Sequence, residues 1–168
     1  MSSLPIVFAH GLEGAPGGTK ISALRRSGLN VVAPDGRGRV LAERIALLEE
    51  LTRDGPVILG GSSYGGLAAA WLAAQYPERF LGLLLCAPAL HWTEEPVLAP
   101  EQLVAPRSIP THILHGVLDE VVPLSVSQRY RERSGDHVHL EVLEDGHRLS
   151  RSIERLVQVA SAMSVAPA

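Results

Sequence analysis

The stretch Gly60-Gly61-Ser62-Ser63-Tyr64-Gly65-Gly66, "GGSSYGG" at residues 60–66, directly follows the apolar run Val57-Ile58-Leu59. It leads into "LAAAWLAA", a small-residue apolar segment with helical character. A strand, a tight turn and a helix are therefore expected in succession, with a serine at the bend. Gly61, Ser63 and Gly65 form a G-x-S-x-G pattern centred on Ser63. A frame centred on Ser62 needs glycine at 64 and meets Tyr64, so Ser62 is a flanking residue. A serine held on a sharp strand-to-helix turn crowds the positions two before and two after it, and glycine relieves that crowding. The helix starting at 64 points its free amides and positive dipole end toward the serine, where developing negative charge is favoured. A glycine-rich turn without a nucleophile, or a helix-capping role for Ser63, is the alternative.

Working outward, the same alternation fills the chain. Residues 5–10, 30–34, 56–61, 81–88, 111–116 and 138–143 read as strands. Residues 18–28, 39–53, 64–76, 123–134 and 148–163 read as helices, with Gly28, Gly55 and Pro77 as stop signals. Most of the strands are continuous apolar runs, which implies burial on both faces and a mainly parallel sheet covered by helices. The last run alternates more, as an edge strand does. The expected fold is α/β, a single doubly wound domain spanning 1–168 with six strands. Residues 89–110 carry Pro96, Pro100, Pro106 and Pro110 without a period and read as an irregular excursion.

Composition narrows the partners. The chain has 168 residues, 46% hydrophobic and 20% charged, and a formal charge of −3. That size carries one core, and the acidic balance argues against nucleic acid as a partner. Arg129, Arg131 and Arg133 are not on one helix face and read as solvated surface. The single cysteine, Cys86, lies in an apolar run and reads as a packed thiol. No signal-peptide pattern opens the chain and no apolar stretch reaches membrane-spanning length, so a cytoplasmic protein is expected.

Doubly wound sheets bind ligands beyond the carboxyl ends of their strands. Those loops read "HGLEGAPGGTK" after the first strand, "GGSSYGG" after the third, "HGVLDEVVP" after the fifth and "EDGHRL" after the sixth. A serine nucleophile needs a base, and the base needs a carboxylate to orient it. His147 follows the last strand, unlike His91, His112, His137 and His139, while His10 and His115 sit in "HG" pairs that suit a structural role. Asp119 follows the fifth strand, with Glu120 and Asp145 as rivals.

The motifs "HGLEG", "GGSSYGG", "HGVLDEVVP" and "DGHRL", spread over residues 10 to 149, resemble those of the α/β-hydrolase superfamily, specifically its small lidless bacterial esterase-like members. Ser, Asp and His come in that family's chain order. The resemblance implies a sheet ordered second, first, third, fourth, fifth, sixth, all parallel, without the first two strands and the cap of larger members. It places the acid at Asp119, four residues after His115, and an oxyanion hole at the backbone amides of Leu12 and Tyr64. Leu90, Trp92, Leu118 and Val121 are candidate substrate contacts beside these loops. A stretch like Asp35 to Gly38 is mainly structural in the family.

The expected activity is cofactor-free hydrolysis of small, short-chain carboxylic esters through an acyl-enzyme on Ser63. Thioesters, amides and acyl transfer use the same constellation. A non-catalytic binding protein on this scaffold is the rival from another class. Neither "GAPGGTK" (14–20) nor "DGRGRV" (35–40) completes a nucleotide fingerprint, and no H-E-x-x-H or Cys–His cluster suggests a metal. Oligomeric state is not legible.

Overall fold

The structure is a computed structural model and describes residues 3–166. Six strands, β1 (Ile6–Ala9), β2 (Val31–Val32), β3 (Val57–Ser62), β4 (Phe80–Cys86), β5 (Thr111–Gly116) and β6 (Val138–Leu143), form one sheet. Its order is β2-β1-β3-β4-β5-β6, and every neighbouring pair is parallel. This is the order expected from the motifs, and it puts the reversal point between β1 and β3.

The continuous apolar runs behave as a doubly covered sheet requires. Val7 and Ala9, Leu59, Leu83 and Leu85, and Ile113 turn to one face. Ile6 and Phe8, Ile58, Leu84 and Cys86, and Leu114 turn to the other. The helices α2 (Leu41–Leu51), α3 (Tyr64–Gln75) and α4 (Leu124–Ser134) cover the first face, and α1 (Thr19–Arg26) and α5 (Ile153–Met163) the second. Nine of the twelve residues of α3 are buried, so it is a core helix apolar on nearly every side. Its alanines and glycines let it lie close on the sheet.

The edges are weaker than the sequence suggested. β2 pairs over two residues only, and Val32 is half exposed. In β6, Val138 and Leu140 face the α4 side and Leu143 the α5 side, while Val142 is exposed near the carboxyl end. α5 begins at Ile153, five residues later than expected. The intervening residues wrap around Asp145, whose carboxylate accepts from the Gly146 and Arg151 amides and from the Ser152 hydroxyl, all at 2.8 Å. Burial alone would raise the Asp145 pKa, but these three donors and Arg151 hold it below the usual range. This rival for the triad acid is therefore committed to a turn.

Residues 89–110 contain a short turn at Pro100–Gln102 and pack on the α2–α3–α4 side. Leu90, Val97, Leu103 and Ala105 enter that core. Arg133 donates to the carbonyls of Leu103 and Pro100, and the Ser134 hydroxyl accepts from the Ala105 amide. Among the described residues, no helix is long and apolar enough to cross a membrane.

Candidate active site

Ser63 stands between β3 and α3 with φ 53° and ψ −114°. That backbone is strained for a residue with a side chain, and it projects the hydroxyl away from the sheet. The adjoining glycines explain how the bend closes. A Cβ on Gly61 would strike the Gly65 carbonyl, as the sequence pattern implies. A Cβ on Gly65 would instead strike the carbonyls of Ala9 and His10, the last at 2.5 Å. Gly65 is thus required by the close approach of α3 to the loop after β1.

Three side chains from three loops meet in one hydrogen-bonded chain. The Ser63 Oγ lies 3.1 Å from His147 Nε2, and His147 Nδ1 donates to Asp119 Oδ2 at 2.7 Å. Because Nδ1 carries that proton, Nε2 is free to accept from the serine. The Asp119 carboxylate is fully buried, whereas the His147 ring keeps 22% of its surface exposed. Its other oxygen accepts from the amides of Val121 and Val122 at 2.9 and 2.8 Å. These bonds compensate a buried negative charge that would otherwise be costly. Glu120, the neighbouring rival, is exposed.

His115 backs this carboxylate from below. Its Nε2 donates to the Val122 carbonyl at 2.8 Å and lies 3.3 Å from Asp119 Oδ2, while its Nδ1 accepts from Ser127 on α4 at 2.7 Å. Burial depresses its pKa, so the ring is neutral and fixes the loop as a neutral strut. His10 does the same for the first loop. Its Nδ1 donates to the Gly11 carbonyl at 2.7 Å, and its Nε2 accepts from the Gly36 amide at 3.0 Å. Burial lowers its pKa as well. Both "HG" histidines are structural, as their sequence context implied. Asp35 accepts from the Arg37 amide and side chain and holds the turn after β2.

The loop after β1 lies directly over Ser63. A Cβ on Gly11 would stand 3.5 Å from the Ser62 carbonyl and 3.6 Å from Ser63 Cβ. Leu12, the next residue, follows this contact, and Tyr64 is the first residue of α3, with an amide that has no partner inside the helix.

Two residues that sequence reasoning passed over organise this loop. Arg44 of α2 is 3% exposed, donates to the His10 carbonyl at 2.7 Å, and stacks 4.8 Å over the Tyr64 ring. It reaches the Gly11 carbonyl more distantly, at 3.4 Å. Glu94, from the excursion, accepts from the Tyr64 hydroxyl at 2.6 Å, from the Leu41 amide at 2.7 Å and from the Trp92 indole at 3.2 Å. Burial alone would raise the Glu94 pKa; these three bonds and the Arg44 charge hold it low instead. One signal for Arg44 was present: Leu41, Ile45 and Leu48 form the buried stripe of α2, and position 44 falls on it. Glu94 sits in an aperiodic segment and gave no signal.

The expected substrate contacts separate. Leu118 and Val121 are each more than 60% exposed on the loop of the expected acid, and Leu12, on the first loop, is exposed to a similar degree. Trp92 is half exposed and tied to Glu94. Leu90 is only 2% exposed and lies in the core cluster, where it presents little surface to a ligand.

The family model for the alpha/beta hydrolase fold matches residues 5–106, more than half of the chain. The chain belongs to the α/β-hydrolase family. No curated protein sequence matches it. Among solved structures, it is similar to an alpha/beta superfamily protein from Xanthomonas campestris pv. campestris. That match has 25% identity and a TM-score of 0.78, and covers 95% of this chain and 97% of that one. Est1E from Butyrivibrio proteoclasticus is similar at 17% identity and a TM-score of 0.79, with 96% and 86% covered. A monoacylglycerol lipase from Paleococcus ferrophilus is similar at 16% identity and a TM-score of 0.74, with 95% of each chain covered. The last two identities speak to fold alone. Family membership supports a hydrolase.

Proposed function

We propose that this α/β-hydrolase is a serine esterase acting on small, short-chain carboxylic esters, with Ser63 as nucleophile, His147 as base and Asp119 as the orienting acid. The observation that supports it is the unbroken Ser63–His147–Asp119 hydrogen-bond chain, with heavy-atom distances of 3.1 and 2.7 Å. Ser63 Oγ attacks the ester carbonyl carbon and its proton passes to His147 Nε2. The carbonyl π electrons move onto oxygen, and the oxyanion is received by the amides of Leu12 and Tyr64. Collapse breaks the bond to the alkoxide, which takes the proton from His147 and leaves as the alcohol. Water then gives its proton to His147 and attacks the acyl carbon. The second collapse releases the acid and returns the proton to Ser63. Asp119 remains ionised throughout.

Short acyl groups fit an open site. His147 is partly exposed, the excursion packs beside the helices, and Leu12, Leu118 and Val121 offer an apolar but shallow rim. Purified Ser63→Ala protein is assayed against short-chain nitrophenyl esters, and the wild type is treated with a fluorophosphonate. A fall in turnover of at least about 10⁴-fold, with labelling only in the wild type, is expected. Undiminished turnover or an unlabelled wild type refutes the assignment.

A further inference from the structure

At the opposite end of β5 and β6, three potential metal ligands converge that the sequence keeps 27 and 29 residues apart. The strand register sets His112 directly beside His139, and their rings meet edge to face with centroids 4.6 Å apart. Glu141, two residues on, points to the same face of the sheet. Its Oε2 lies 3.1 Å from His112 Nε2. One donor atom from each residue lies within 4.8 Å of the others.

We propose that His112, His139 and Glu141 form a binding site for a late first-row divalent cation, zinc first among them. Two imidazoles and one carboxylate match the borderline character of Zn²⁺ and leave a fourth position for water. In a tetrahedral site two donors, each bonded at about 2.1 Å, stand about 3.4 Å apart. The cluster therefore needs to close by up to about 1.4 Å. His139 is exposed apart from its edge-to-face contact with His112, so this adjustment falls on a surface side chain. The other Glu141 oxygen is held by Arg155 of α5 at 2.6 Å, and Arg155 is steadied by Gln158 at 3.2 Å. That outer contact aims the remaining oxygen at the histidines, the arrangement by which neighbouring groups orient metal ligands. The proton between His112 Nε2 and Glu141 Oε2 leaves to solvent, or moves to Nδ1, as the ion takes its place.

The location gives the site a physical role. Among the described residues β6 is an edge strand, paired only to β5. β5 leads into the loop of Asp119 and β6 into the loop of His147. An ion bridging the two strands staples the pair that carries these loops, from the end remote from Ser63. The sequence offered no such site, because neither spacing matches a local metal motif and the register alone creates the cluster.

Untagged, metal-stripped protein is titrated with Zn²⁺ by calorimetry and with Co²⁺ by visible absorption. One equivalent of Zn²⁺ is expected to bind with a dissociation constant at or below about 10 µM. Bound Co²⁺ should show the intense bands of a four-coordinate ion. Saturating Zn²⁺ should raise the melting temperature by several degrees. His139→Ala and Glu141→Gln, an exposed truncation and an isosteric change, should each weaken binding at least about tenfold with an unchanged circular dichroism spectrum. No binding up to about 100 µM, or binding that both variants leave intact, overturns the proposal. So does binding that is lost only in His147→Ala.

Discussion

Arg44→Met separates the hydrogen-bond chain from the loop that is proposed to receive the oxyanion. The change removes a bond from Nη1 to the His10 carbonyl at 2.7 Å and the guanidinium stacked on Tyr64 at 4.8 Å. A hydrogen bond to a charged group contributes about 1.5–3 kcal/mol, and the cation–π contact about 0.5–2 kcal/mol. Against this, Arg44 Nε is a buried donor without a partner, and methionine relieves that cost while filling much of the same volume. The net destabilisation is about 1–3 kcal/mol, or roughly 2–12 °C in melting temperature for a chain of this size. The larger effect is expected in catalysis. Ser63, His147 and Asp119 lie on other loops and keep their geometry, while the loop of Gly11 and Leu12 loses its anchor. One misplaced oxyanion donor costs up to about 10²-fold in kcat. A fall of about 10-fold to 10²-fold in kcat, with KM nearly unchanged, is therefore expected, because the loop's donor engages the transition state more than the bound ester. The assay pairs steady-state kinetics on a short-chain nitrophenyl ester with thermal melting. A variant that melts lower yet keeps kcat within twofold refutes the reasoning, since the loop would then hold its place without Arg44.

Gly65→Ala should fail to fold or melt far below the wild type, because its Cβ meets backbone carbonyls of Ala9 and His10 that have no rotamer to yield; an unchanged melting curve would mean that α3 is not pressed on the first loop. Acid should weaken the fold in two stages. His10 and His115 have folded pKa values below the ordinary 6.5, so their contribution is complete above that value and is lost as pH falls through it. Glu94 and Asp145 are likewise depressed from 4.5 and 3.8, and their contribution is lost as pH falls below those values. Melting temperatures read from pH 8 down to pH 3.5 should show both losses, and a flat profile from pH 7 to 5 would contradict neutral, buried His10 and His115.

What the sequence determined by itself was local or periodic. Apolar runs of strand length, each followed by a helical pattern, specify a parallel sheet covered on both faces. Gly61 and Ser63 specify the bend, because steric exclusion acts over a few residues of chain, whereas the need for glycine at 65 comes from the loop after β1. The placement of Asp119 and His147 after β5 and β6 was legible too, since strand ends in such a sheet share one rim. Tertiary structure decided what depends on distances across the fold. Asp145 and Asp119 look alike in sequence, yet one closes a turn and the other meets His147. Arg44 and Glu94 reach the first loop and Tyr64 from a helix and an aperiodic excursion. His112, His139 and Glu141 gather only because β5 and β6 pair in one register. A shift of that register by one residue turns His139 and Glu141 to the other face, and no pattern along the chain records which register wins.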